Sequence, residues 1–414
     1  MAQASNASTV RFDLTSDPEV EAKSAATAVV RAQRRQPPAP NPLSIVPGDE
    51  SFRIASRLVS RLTVGDARYD GACFGPFLRF LPQRIGANRA LDAAVDAFCA
   101  ALSTIHADTA SLQAVAKHGR ALATLRACLG DPAYGRASET VCAIYLVMIT
   151  EGLIGAETGR HGEGMCYILQ AQVQRQWTSQ FELEMFSVMF FSVLMESIGN
   201  KRIKTNPWLP ILLDRLEPME LIKKLEAKKE AAAAAGVYPS LFLRSLARMT
   251  DLIINPAGRQ SEIETMYKSF LDDLSKIRGS LDSMDALATL AGMSLIMNRI
   301  LQAFEPLDVA LIEGETDLVD AIIAMGEEAM PRRPLGAAYA RPGLSVAWAA
   351  GGDPGRRAVV AGMLSRIRGT SPAGGVWDGM REARWLRAKF AEIDAVILGE
   401  PGDGAAPQAD CHVQ

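Results

Sequence analysis

The chain has 414 residues, 48% of them apolar, and a formal net charge of −3. That length and apolar content bury a substantial core, which excludes a mostly disordered protein. The near-zero net charge excludes a chain that grips nucleic acid with its whole surface, though it leaves room for a local basic segment.

Residues 1–50 are poor in aromatics. The run Gln36-Pro37-Pro38-Ala39-Pro40-Asn41-Pro42 cannot be helical, because proline removes donors and restricts the residue before it. The segment reads as a disordered linker. It carries one basic cluster, Arg31, Arg34 and Arg35, a candidate nuclear-import or phosphate-contact motif whose plainer reading is solvating charge. Met1–Val20 contains no apolar stretch of signal-peptide length. The uncharged apolar runs Thr140–Thr150 and Phe186–Met195 fall short of the roughly 20 residues that span a bilayer, so no membrane contact is expected.

From Ser51 to Leu398 the pattern is helical nearly throughout. Phe52, Ala55, Leu58, Val59 and Leu62 recur at three and four, as do Leu91, Val95, Phe98, Leu102 and Ile105. Leu112, Val115, Leu122, Leu125 and Leu129 form a third stripe, which Gly130-Asp131-Pro132 ends. Ser138 is the expected N-cap of the next helix. Val141–Ile149 and Phe181–Ile198 are apolar nearly all round, as in helices buried between others. Further helices are predicted at Leu209–Ala235, Ser240–Ile254, Ser261–Ile277, Met284–Phe304, Asp317–Met330, Pro354–Arg368 and Trp377–Leu398. Pro331–Asp353, rich in Pro and Gly, reads as a long surface connection with a short helix at Leu344–Trp348. Gly399–Gln414 reads as a disordered tail. With no β alternation, the fold class is all-α: a single large domain, residues 51–398, built as an array of antiparallel helical hairpins, with no exact repeat period.

Candidate chemistry is sparse. The six cysteines, Cys73, Cys99, Cys128, Cys142, Cys166 and Cys411, include no Cys-x-x-Cys pair and read as reduced thiols of an intracellular protein. The four histidines, His106, His118, His161 and His412, lack metal-ligand spacing. Asp272-Asp273 raises an α-helical terpenoid-synthase reading, but Lys276 stands at the third acidic position and would repel a metal ion. His161-Gly162-Glu163-Gly164 has neither a preceding strand nor a following Gly-Lys-Ser/Thr, so it is no phosphate loop. Lys201-Arg202-Ile203-Lys204 and Arg356-Arg357 are further basic patches, and Lys223–Lys229 mixes signs as a solvated helix face does. No catalytic residue, cofactor site or metal site is assigned.

One ordered set of motifs stands out. Ala121, Leu122, Leu125, Arg126 and Leu129 are followed by Asp131-Pro132; then come Ser138-Glu139-Thr140 through Glu151, and then His161, Gly164 and Ile168-Leu169. Upstream lie Gly75-Pro76-Phe77-Leu78, Leu81-Pro82, Gly86 and Ala90–Ala94; downstream lie Ala347-Trp348 and Asp353–Arg357. Together they resemble the helical regulatory domain of the fungal-specific transcription factors, the region that follows a zinc binuclear cluster. The resemblance covers roughly residues 50–395, with Thr158 where the family usually has tryptophan. It implies a nuclear transcription regulator or co-regulator of a specific metabolic or secondary-metabolite gene cluster. Such a protein would work through protein partners, among them a DNA-bound regulator or a second copy, and through a small-molecule effector. The zinc cluster needs six closely spaced cysteines, and none precedes Cys73. Direct sequence-specific DNA reading is therefore not expected of this chain. The alternatives are a cytoplasmic helical scaffold that binds an effector and, further off, an all-α enzyme.

Overall fold

In the computed structural model, residues 49–399 are described apart from 70, 104, 106–110, 156–160, 176, 178, 206–207, 217–237, 278–283 and 368–378. The described residues form fourteen α-helices and no strand, so the fold is all-α. The expectations for residues 1–48 and 400–414 lie outside the described residues.

Helix α1, Glu50–Leu62, starts at Asp49, whose carboxylate accepts the Ser51 amide at 3.2 Å. It buries Ile54 and Leu58, leaving Phe52 69% exposed. Three 3₁₀ turns, Ala67–Tyr69, Gly71–Phe74 and Pro76–Phe80, then carry Phe77, Leu78 and Leu81 into the core. Gly75, at φ 130°, begins the last of them; a Cβ there would meet the Phe77 ring at 2.8 Å. Asn88 caps α2, Arg89–Leu102, through the amides of Ala90 and Leu91. Leu91, Val95, Phe98 and Leu102 are buried on α2, as the periodicity predicts.

Helix α3, Leu112–Leu129, corrects the predicted stripe. Leu112 is 88% exposed, and Val115 and Leu129 are also exposed. The buried face is Ala114, His118, Ala121, Leu125 and Cys128. Packing against α2 and α4 uses mostly small side chains, which let helix axes approach closely; Leu125 stays in the seam while Leu112, Val115 and Leu129 face outward.

Asp131 folds the chain back: its side chain accepts the Ala133 amide at 2.9 Å and its carbonyl the Gly135 amide at 2.8 Å. Helix α4, Ser138–Ile154, buries residues on every side, as its all-round apolarity predicts. Its N-cap is Ala137, not Ser138; Ser138 is already helical, and its hydroxyl turns away to Glu182. Gly155 closes α4 in the left-handed region at φ 75°. Helix α5, His161–Gln172, packs on α6, Gln180–Ser197. Ser179 and Glu182 start α6 with a reciprocal capping box.

Residues 208–216 form α7; the rest of the predicted Leu209–Ala235 helix lies outside the described residues. Helices α8, Leu243–Ile254, and α9, Gln260–Ile277, follow. Helix α10, Met284–Phe304, is the only described helix long and apolar enough to cross a membrane, but 67% of its apolar window is buried, against α9, α11, α12 and α14. Helix α11, Val309–Ala329, begins eight residues before the predicted Asp317, because Asp308 caps it through the Ala310 and Leu311 amides.

Pro331–Asp353 is not a surface connection. Turns to residue 339 bury Leu335 and Ala337, and Ala340–Ala350 forms a largely buried helix, α12. Helices α13, Pro354–Ile367, and α14, Gly379–Leu398, finish the array. Arg299 of α10 grips Asp394 of α14 through two hydrogen bonds, at 2.9 and 2.5 Å. Most consecutive helices pack on one another, and the described residues 49–399 belong to one compact unit. The early and late helices meet where Trp385 of α14 lies on Gly199, just past α6, and where Lys201 pairs with Glu392 at 3.6 Å.

Candidate functional site

A cleft of about 590 Å³ opens where the α3–α4 turn meets the starts of α4 and α6. Its lining includes Arg84, Arg136, Ser138, Glu139, Arg175, Ser179 and Glu182. Each is positioned by local structure. Arg84 sits in the turn before α2, its guanidinium 4.0 Å over the Phe181 ring and 2.5 Å from the Glu139 carboxylate. Arg175 follows α5. It donates to the Arg136 carbonyl and to Gln172 Oε1, and Gln172 in turn donates to the same carbonyl at 3.3 Å. These contacts clasp the end of α5 to the α3–α4 turn.

Glu182 organises the floor. Its Oε1 accepts the Ser138 hydroxyl at 2.5 Å, and its Oε2 accepts the Ser179 amide at 3.3 Å and hydroxyl at 3.0 Å. One carboxylate thus joins the first turns of α4 and α6. The first turn of α4 has no side-chain cap; its Thr140 and Val141 amides both reach the Ala137 carbonyl, at 3.0 and 3.1 Å. Asn88 braces this turn from beneath, donating to Thr140 Oγ1 at 2.9 Å.

Both cleft serines are committed to Glu182, and no histidine, lysine or cysteine lines the walls.

The other candidates resolve into structural roles. Arg31, Arg34 and Arg35 lie outside the described residues, as do His106 and His412. His118 is buried on α3, its Nε2 3.5 Å from Glu151 of α4. Lys276 pairs with Asp272 at 2.6 Å and Asp273 at 2.9 Å, while Asp273 accepts the Ser240 amide and hydroxyl. Lys201 and Arg202 pair with Glu392 and Glu163, and Arg356 with Asp320. Among the described residues no three His, Cys, Asp or Glu side chains gather as a metal site. Burial pushes the Cys99 thiol up to about 12, and the Cys142 thiol is raised for the same reason, so neither is a nucleophile near neutral pH.

Of the cleft residues, sequence reasoning singled out only Ser138, with Glu139 as part of a motif. Ser179-Gln180-Phe181-Glu182 was a readable signal, since Ser-x-x-Glu before an apolar run is a capping box. The three arginines come from separate segments and carry no such signal.

No family model, curated protein or solved structure matches this chain. A functional reading therefore rests on its own residues.

Proposed function

We propose that the chain is a transcription regulator or co-regulator of the fungal-specific type, acting in the nucleus on a specific metabolic or secondary-metabolite gene set. In this reading the helical domain works through protein partners and an effector, and a DNA-bound partner reads the bases. It is not an enzyme. The observation that carries the reading is where the resembling motifs lie. Asp131 shapes the turn, and Ser138 and Glu139, in the first turn of α4, line the cleft of about 590 Å³.

The test is RNA sequencing of a deletion strain complemented with the wild-type chain or with a nuclear-excluded version. Collapse of a coherent gene set, restored only by the wild-type chain, is the expected result. Unchanged transcripts with an altered metabolite would overturn it in favour of the cytoplasmic scaffold or the enzyme.

A further inference from the structure

One flank of α3 is apolar and faces outward. Leu112, Val115, Gly119, Leu122, Arg126 and Leu129 recur at alternating steps of three and four, the spacing of a helix–helix seam. Leu112, Val115 and Leu129 are exposed and Leu122 is half-buried. A Cβ on Gly119 would meet nothing within 4 Å. This seam is separate from the buried face of α3, which runs through Ala114, His118, Ala121, Leu125 and Cys128.

Charge narrows what fits this flank. Helix α3 has no acidic residue, whereas Arg126 stands in the seam and Arg120 is exposed on the same helix. A second copy laid on the seam would bring like charges together, so a partner with carboxylates beside its apolar side chains fits better. The chain supplies one. Val10, Phe12, Leu14 and Val20 are interleaved with Asp13, Asp17, Glu19 and Glu21, and Phe12 is the only aromatic residue before Asp49. Residues 400–414, the other terminal stretch outside the described residues, contain no aromatic residue, leucine or isoleucine. The tether also reaches. Arg57 of α1 and Lys117 of α3 both pair with Asp96, each at 2.8 Å. The start of α1 therefore lies within about 30 Å of the middle of α3. The 27 residues between Glu21 and Asp49 match that distance, since a flexible chain of this length spans about 30 Å on average.

We propose that residues 10–21 dock on the exposed flank of α3 in the same molecule, Phe12 and Leu14 on the leucine seam and the neighbouring carboxylates towards Arg126. A tether of this length gives an effective concentration of about a millimolar, so a contact of modest intrinsic strength is populated. Docking keeps Arg31, Arg34 and Arg35 close to the folded domain while it lasts. The inference concerns the chain's contact with itself and does not rest on the regulatory reading.

The experiment is photo-crosslinking of the full chain carrying benzoylphenylalanine in place of Phe12, with the product mapped by mass spectrometry. Crosslinks from residue 12 into α3 of the same molecule are expected. Leu112→Ser with Leu129→Ser should lower their yield at least about fivefold. Both leucines are exposed, so the fold should persist, as circular dichroism would check. Arg126→Glu should lower the yield about threefold, and adding Asp13→Arg and Asp17→Arg to that variant should restore it. The proposal is overturned if residue 12 does not crosslink to α3, or if the folded leucine variant crosslinks as well as the wild type. Mixed light and heavy isotope chains that crosslink to each other overturn it too, in favour of a second copy as the occupant.

Discussion

Asn88 links two helix starts with one side chain. Its Oδ1 caps α2 at 2.9 and 3.2 Å, and its Nδ2 donates to Thr140 Oγ1, in the first turn of α4, at 2.9 Å. The residue is 3% exposed, so water cannot readily replace either function. Asn88→Ala loses the cap, about 1 kcal/mol. It also leaves the buried Thr140 hydroxyl without its donor, which costs about 1–2 kcal/mol more. The total is about 2–3 kcal/mol. Asn88→Ser keeps a capping oxygen but is too short to reach Thr140, so it should recover about 1 kcal/mol. Thr140→Val removes the partner from the other side. Urea unfolding followed by circular dichroism would complete the cycle. Asn88→Ala and Thr140→Val should couple by about 1 kcal/mol, well beyond the spread of independent sites. Additive effects would refute the bridge, and an Asn88→Ser variant no more stable than Asn88→Ala would refute the cap.

Three further outcomes are expected. A Cβ at Gly199 would overlap the indole of Trp385, so Gly199→Ala should cost about 1–3 kcal/mol in urea unfolding, and much less in a Trp385→Ala background. Burial raises the Asp273 carboxyl, but hydrogen bonds from Ser240 and Lys276 outweigh it and hold the pKa below its ordinary 3.8. Its stabilisation is therefore complete above about 3.8 and lost as pH falls through the lower folded-state value, so acid titration of Asp273→Asn should show a shallower loss of stability than wild type. Finally, the exposed Cys73 should react with a thiol reagent far faster than buried Cys99, Cys128 and Cys142, as mass spectrometry of the partly labelled native protein would show.

Much of the fold was legible because apolar period and capping chemistry act locally. The predicted Met284–Phe304 helix matches α10, and Pro354–Arg368 comes within a residue of α13. Two of the misses share a cause, tertiary packing that overrides local signals. On α3, leucines predict the buried face, but neighbouring helices seat against alanines instead. On α12, Pro342-Gly343 reads as a break. Proline in the first helical turn sacrifices no hydrogen bond, since that amide has no intrahelical partner. Gly343 has a packing role: a Cβ placed on Gly292 of α10 would lie 3.4 Å from the Gly343 Cα. Glycine at this crossing lets two backbones meet, so residues that locally argue against a helix are the ones that allow it to be buried.

The cleft was less legible, because it forms from the ends of elements rather than their faces. Ser179 and Glu182 answer one physical demand, the unpaired amides at the start of α6. Glu182 meets that demand for α6 and, through Ser138, ties α6 to α4, whose own first turn keeps no side-chain cap. Those donors are neutral, so the Glu182 carboxylate keeps its charge in the cleft floor. Arg136 and Arg175, both exposed, stand at its rim beside that carboxylate. A helical array that needed these residues only for packing would tolerate methionine or glutamine at both positions.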